Sequence, residues 1–169
     1  DPSSNVYRGT SPFSEPETRA IQTFMELHPN IKALISYHSY GQVILYPWGY
    51  TDEPSPQDDL LSFLASSMSQ KMEAVDGSKY TFGQSGASLY LTNGDTTDWA
   101  LGVYGIPAFT IELPPIDRFR GGFFNSENDI QKIFNENLPA AVFMINWVIQ
   151  DKTASFFLST GASSTEQVR

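Results

Sequence analysis

The sequence predicts an α/β domain in which helices cover a partly parallel sheet. Three observations lead there. Helical patterns with apolar stripes alternate along the chain with short apolar runs of strand length. Those short runs are nearly all apolar rather than alternating, as in strands covered on both faces. The chain has 169 residues, 40% hydrophobic and 14% aromatic, enough apolar surface for a substantial core in one domain.

Residues 1–13, rich in Ser, Pro, Gly and Thr, form an irregular lead-in. Ser14-Glu15-Pro16-Glu17 fits a capping box with proline near the first turn, so Ser14 opens a helix. Ile21, Phe24, Met25 and Leu27 give that helix an apolar stripe, and His28-Pro29-Asn30 ends it. The apolar run 31–37 ends as a strand, and a second strand covers 42–46 beyond Ser39-Tyr40-Gly41. Pro47-Trp48-Gly49-Tyr50 leaves that strand for a loop. Pro56-Gln57-Asp58-Asp59 then places acids at a helix N-terminus, and Leu60, Leu61, Phe63, Leu64, Met68 and Met72 recur at helical spacing. Asp76-Gly77 breaks the chain, and 80–87 is too glycine-rich to assign. Asn93-Gly94-Asp95 signals a turn, Thr97-Asp98-Trp99 a short helix, and 108–113 a buried strand stopped by Pro114-Pro115. The last helical pattern runs over 126–148, with Pro139 bending or dividing it. From Thr153 onward a Ser/Thr/Ala/Gly-rich text reads as a tail or linker, so the domain spans 1–152 and the tail 153–169. No internal repeat is present.

Ten basic against nineteen acidic residues give a net charge of −9, which repels phosphate backbones and anionic lipid. Nucleic-acid binding is thereby disfavoured, and metal ions or cationic ligands are compatible with the charge. The absence of cysteine excludes disulfides, thiolate zinc sites and thiol nucleophiles. The longest apolar run, 140–149, is broken by Asn146 and falls well short of a membrane span. Asp1-Pro2-Ser3-Ser4-Asn5 has neither the basic start nor the apolar stretch of a secretion signal, so any signal lies outside this chain.

Two residues stand out chemically. His38 sits where an apolar strand ends, at the edge where α/β folds tend to build sites, although composition alone favours a structural histidine there. Glu112 is the one charge within the strand 108–113. Burying its carboxylate costs several kcal/mol unless a cation or strong donors compensate it. The plainer alternative puts Glu112 at the strand's solvent end or pairs it with Arg118 or Arg120. His28, at a helix end before proline, reads as a capping histidine. Gly83-Gln84-Ser85-Gly86-Ala87 approaches a nucleophile elbow, but Ala87 replaces the final glycine and His38 precedes the serine, against that fold's order. A catalytic zinc needs three protein ligands and an open position. The residues alone supply one candidate ligand and one candidate base.

The text around these two residues resembles the metallocarboxypeptidases, zinc exopeptidases of the carboxypeptidase A type. The strongest match is His38-Ser39-Tyr40-Gly41-Gln42-Val43-Ile44-Leu45-Tyr46-Pro47-Trp48, similar to the family's second zinc signature. Leu89-Tyr90, Gly94, Asp98-Trp99, then Phe109-Thr110-Ile111-Glu112-Leu113, and Ser14-Glu15-Pro16-Glu17-Thr18 follow the family's pattern in its order. Tyr7-Arg8-Gly9-Thr10, Pro47-Trp48-Gly49-Tyr50 and Asp95 resemble the bacterial carboxypeptidase T branch. The resemblance implies a mixed, mostly parallel sheet with helices on both faces, incomplete in this chain. It implies His38 as a zinc ligand, Glu112 as the catalytic glutamate and Tyr90 as the tyrosine that closes over the peptide end. Ser39 and Tyr40 would line the neighbouring subsite, and Asp95, Thr97 and Thr110 the specificity pocket. The substrates implied are peptide or protein C-termini ending in hydrophobic or basic residues, and the location extracellular or periplasmic.

One departure matters. The family's His-x-x-Glu zinc motif is absent from residues 1–169, and no arginine here matches the family's substrate-gripping motifs. The chain is therefore expected to be the C-terminal half of a catalytic domain, with the N-terminal half as a partner. Alone it is expected to bind zinc weakly, to hydrolyse nothing and to expose a sheet edge that limits its solubility. A non-catalytic peptide-binding module derived from the family is the alternative. Calcium is compatible with so acidic a chain, but no calcium ligand is assigned.

Overall fold

The computed structural model describes residues 1–124 and 126–150. Its elements are α1 (Pro16–Leu27), β1 (Leu34–Ser39), β2 (Val43–Tyr46), α2 (Asp58–Asp76), β3 (Thr81–Gln84), α3 (Ser85–Ser88), α4 (Thr96–Tyr104), β4 (Ala108–Leu113) and α5 (Ile130–Ile149). The tail expected over 153–169 lies outside the described residues.

Among the described residues the strands form one sheet in the order β1-β4-β2-β3. β1 runs parallel to β4 and β2 parallel to β3, while β2 and β4 are antiparallel. The sheet is mixed and mostly parallel, as expected. Helices cover both faces. On one, Ile44, Phe109 and Ile111 pack under Leu60, Leu64 and Met68 of α2 and Ala140, Met144 and Trp147 of α5. On the other, Met25 of α1 and Ala100 of α4 close over Ile106 and Ala108. Burying these side chains supplies most of the stabilisation. α2 ends at Gly77, whose φ of 83° suits a residue without Cβ and lets its N–H reach the Glu73 carbonyl.

Several local expectations change. Ser14 does not cap α1: Glu15 is the N-cap without a side-chain cap bond, and the Ser14 hydroxyl donates to Glu15 Oε1 at 2.8 Å. Pro16 at the first helical position preorganises the start instead. Of the α1 stripe only Met25 is buried; Ile21, Phe24 and Leu27 face solvent. β3 forms within the glycine-rich stretch because pairing with β2 outweighs weak local propensity. Pro139 neither divides nor ends α5, which runs unbroken from Ile130 behind a 3-10 turn at Glu127–Asp129. His28 caps α1 as expected, its Nδ1 2.7 Å from the Phe24 carbonyl oxygen.

Candidate active site

The cleft opens where β1 and β4 end. Their parallel register sets His38 directly beside Glu112 and Ser36 beside Thr110. Side chains level with each other on paired strands share a face. All four line one cleft of about 270 Å³, with Leu45 from β2, Ser85 from α3, and Leu89, Tyr90, Thr92 and Asp95 from the loop before α4. Residues 74 positions apart in sequence thus meet through one strand pairing.

Glu112 lies on a central strand, between His38 of β1 and Val43 of β2. Burial pushes its carboxyl above the ordinary value, and the neighbouring His38 draws it partly back. Glu112 Oε2 is buried without a hydrogen-bond partner. The alternative pairing fails: Arg120 bridges to Asp117 at 3.8 Å, and Arg118 lies over the Phe119 ring. A buried, unsatisfied carboxylate oxygen on a residue that lines a cleft fits a role toward a ligand, water or cation supplied from outside. His38, at the accessible end of edge strand β1, has Nε2 2.9 Å from the Ser36 hydroxyl. That bond holds the ring and leaves Nδ1 for a metal, the arrangement expected of an oriented ligand. It also means that Ser36, rather than Ser85, partners the imidazole. His38 therefore fits a single zinc ligand. Among the described residues no group of three or more His, Cys, Asp or Glu is placed to hold a metal ion.

The remaining expected residues divide. Tyr90 lines the cleft with its ring mostly exposed, and Thr110 lines its wall. Asp95 lines it too, but it is also the N-cap of α4, accepting from the Thr97 N–H at 2.7 Å and the Thr97 hydroxyl at 2.8 Å. Thr97 is buried in the first turn of α4, and its hydroxyl donates to Asp95 behind the residues that line the cleft. Ser39 is exposed at the end of β1, and Tyr40 packs edge-on against Phe123 at 4.8 Å; neither is in the cleft lining.

Three residues unassigned at the sequence level hold the loop 47–53 that follows β2. Gln84 Nε2 donates to the carbonyls of Trp48, Thr51 and Glu53, at 3.2, 2.8 and 2.8 Å. Asp98 accepts from the Gly49 N–H at 2.8 Å and the Tyr50 N–H at 3.1 Å. Burial raises its carboxyl, the Gly49 N–H offsets part of that rise, and Asp95 adds to it. Gly86 passes so close to Thr51 that a Cβ would overlap its carbonyl oxygen. Ser36 was findable, being two positions before His38 and so on the same strand face. Gln84 carries no such signal, because its partners are backbone carbonyls.

A cleft at strand ends, with a desolvated glutamate beside an oriented histidine, is the class of site suited to holding a metal and moving a proton. A family model described as zinc carboxypeptidase matches residues 1–140, and the chain belongs to that family. It is 42% identical over 113 residues to carboxypeptidase A1 of Mus musculus, covering 67% of this chain and 27% of that protein. It is 37% identical over 150 residues to carboxypeptidase B of Astacus astacus, covering 87% and 48%. Bovine thrombin-activatable fibrinolysis inhibitor, solved in complex with tick carboxypeptidase inhibitor, superposes with a TM-score of 0.81 at 34% identity, covering 88% of this chain and 50% of that one. The chain thus spans half or less of the length of these relatives.

Proposed function

We propose that this chain is part of a secreted, zinc-dependent exopeptidase that releases C-terminal amino acids from peptides. Family membership supports this, and one observation carries it: the in-register pairing of His38 and Glu112, both lining one cleft, with Glu112 Oε2 buried and unpartnered. His38 would hold zinc together with ligands from outside these 169 residues, since His-x-x-Glu does not occur within them. The chemistry zinc would supply when bound is Lewis acidity toward the scissile carbonyl and the attacking water. The Glu112 carboxylate would accept a proton from the attacking water and return it to the leaving amine, and burial moves its pKa upward, toward the working range of a general base. Tyr90, exposed at the mouth, covers the bound peptide end, with Ser39 and Tyr40 beside the preceding residue.

Leu45, Leu89 and Thr110 offer the terminal side chain apolar contact, and the second oxygen of Asp95 offers a basic one its counter-charge. The preference is therefore hydrophobic and basic. Similarity to the carboxypeptidase T branch rests on Asp95 and the two short segments 7–10 and 47–50 alone. The chain by itself, holding one ligand, binds zinc weakly and turns nothing over.

The test is release of the last residue from blocked peptides ending in Phe, Leu, Lys or Arg, read by mass spectrometry, using the protein that carries this chain. Glu112→Gln should lower turnover by about 10²–10⁴-fold. Equal rates for wild type and Glu112→Gln would refute the reading. Stoichiometric peptide binding without zinc or turnover would replace it with the non-catalytic module.

A further inference from the structure

After β4 the chain leaves the sheet through Pro114 and Pro115, and a second cavity, of about 230 Å³, lies between that segment and the start of α5. Asp129, Ile133 and Glu136 stand three or four residues apart, with Lys132 beside Ile133, so they share one helix face. All four line the cavity, and Ile116 and Arg120 line it from the segment that follows β4. It shares no lining residue with the cleft that holds His38 and Glu112.

The charges around this cavity do not balance. Lys132 is 3.4 Å from Asp76 and Arg120 is 3.8 Å from Asp117, so both bases are engaged by acids outside the lining. Asp129, at the N-cap of α5, makes no side-chain cap bond. Glu136 is 1% exposed, and its Oε1 has no hydrogen-bond partner. Tyr80 and Ser78 do reach its carboxyl, yet burial outweighs them and holds it above the ordinary value. A desolvated carboxylate with an unused acceptor, on a residue that lines a cavity, calls for a cationic donor from outside.

We infer that this cavity is a binding site for a small organic cation, an ammonium or guanidinium group whose N–H donors satisfy Glu136 while its carbon stem lies against Ile116 and Ile133. Charge-assisted N–H bonds suit a single desolvated carboxylate, and the two isoleucines give an aliphatic stem apolar contact. A bare metal ion is the poorer occupant. Among the described residues no group of three or more His, Cys, Asp or Glu is placed to hold one, and it would leave most of the volume unfilled. An anion is opposed by Glu136, by Asp129 and by the net charge of −9. The volume is below that of ordinary drug-sized pockets, which limits the ligand to a few non-hydrogen atoms.

The probes are butylammonium and butylguanidinium, titrated calorimetrically at fixed ionic strength into the protein that carries this chain. Tetramethylammonium, of equal charge but without N–H donors, is the control. All titrations are made in the Asp95→Asn background, because Asp95 lines the cleft and offers a cation a counter-charge there. The expected result is saturable one-to-one binding of an N–H cation, the tighter probe identifying the head group, with no binding of the control. Glu136→Gln should weaken that binding at least about tenfold, the scale of a hydrogen bond to a charged acceptor. Glu127→Gln removes an equal charge outside the cavity lining and should leave it unchanged. Ile133→Phe fills the space without altering charge and should block uptake as well, with circular dichroism checking that each variant is folded. Equal affinity with and without the Glu136 carboxylate would overturn the inference. So would binding that tetramethylammonium reproduces, or no binding of either N–H cation. No peptidase assay enters, so failure here leaves the catalytic reading standing.

Discussion

Replacing Glu136 by Gln should stabilise the chain at neutral pH and lose that effect in acid. Glu136 lies on α5, is 1% exposed, and its Oε1 has no hydrogen-bond partner. Burial raises its carboxyl above the ordinary value. The Tyr80 hydroxyl, Lys132 and Ser78 work against that rise, and Asp76 adds to it. Lys132 compensates little, because its ammonium is 3.4 Å from Asp76. Tyr80 in turn accepts from Asn137 Nδ2 at 3.1 Å, so its own proton is free for Glu136. An amide keeps the acceptor that Tyr80 and Ser78 use and removes the desolvated charge. The gain should be about 1–2 kcal/mol, the scale of an unsatisfied buried polar group. In a chain of this size that corresponds to a rise in Tm of roughly 3–6 °C. The sign follows from linkage. A carboxyl whose folded pKa is raised contributes stability that is fully present below its unfolded pKa and is lost as pH rises through the folded value. The glutamine variant has no such loss, so its advantage appears only above that window. Thermal unfolding followed by circular dichroism at about pH 7.5, and again at about pH 4 near the unfolded carboxyl value, measures both limbs. A variant no more stable at neutral pH, or equally advantaged in acid, would refute the reasoning.

Three further outcomes are expected, besides the Glu112→Gln result given above. Ser36→Ala should weaken zinc binding roughly ten- to hundredfold in the protein carrying the full ligand set, measured by chelator competition, since it frees Nε2 of His38. Asp95→Asn should lower kcat/KM for Lys- and Arg-ended peptides while sparing Phe-ended ones. Asparagine keeps the α4 cap that alanine would remove at a cost of about 1 kcal/mol, so a loss shared by all peptides would count against Asp95 as a selectivity residue. Gln84→Leu should destabilise the chain by about 1–3 kcal/mol by stranding three carbonyls, and a denaturant midpoint equal to wild type would contradict that.

What the sequence made legible follows from which forces are local. α2 was readable because Leu60, Leu64, Met68 and Met72 bury one face at helical spacing, and β4 because an apolar run ends at two prolines. His38 and Glu112 were readable as anomalies, one at a strand end and one inside a strand. β3 was hidden because its stability comes from pairing with β2, which no window of residues 80–87 contains. Pro139 does not divide α5, because a proline penalty is local, whereas the packing of Ala140, Met144 and Trp147 that carries α5 past it is tertiary. Thr97 was assigned by position along a motif. Only the turn geometry at Asp95 decides that its hydroxyl points back to the cap rather than into the cleft.

The topology also explains why the two central residues are suited to different work. Glu112 stands on a strand with neighbours on both sides, so its carboxylate meets water only through the cleft and is desolvated by its position alone. That raises its pKa, which favours a group that must take up and release a proton. His38 stands on the edge strand, accessible, with one ring nitrogen held by Ser36. A metal ligand needs that openness, because further ligands have to approach from the side that Glu112 does not occupy. Under the proposed function, with one ligand and one base supplied from this side of the cleft, the edge of β1, which is free among the described residues, would be part of the site as well as a boundary of the sheet.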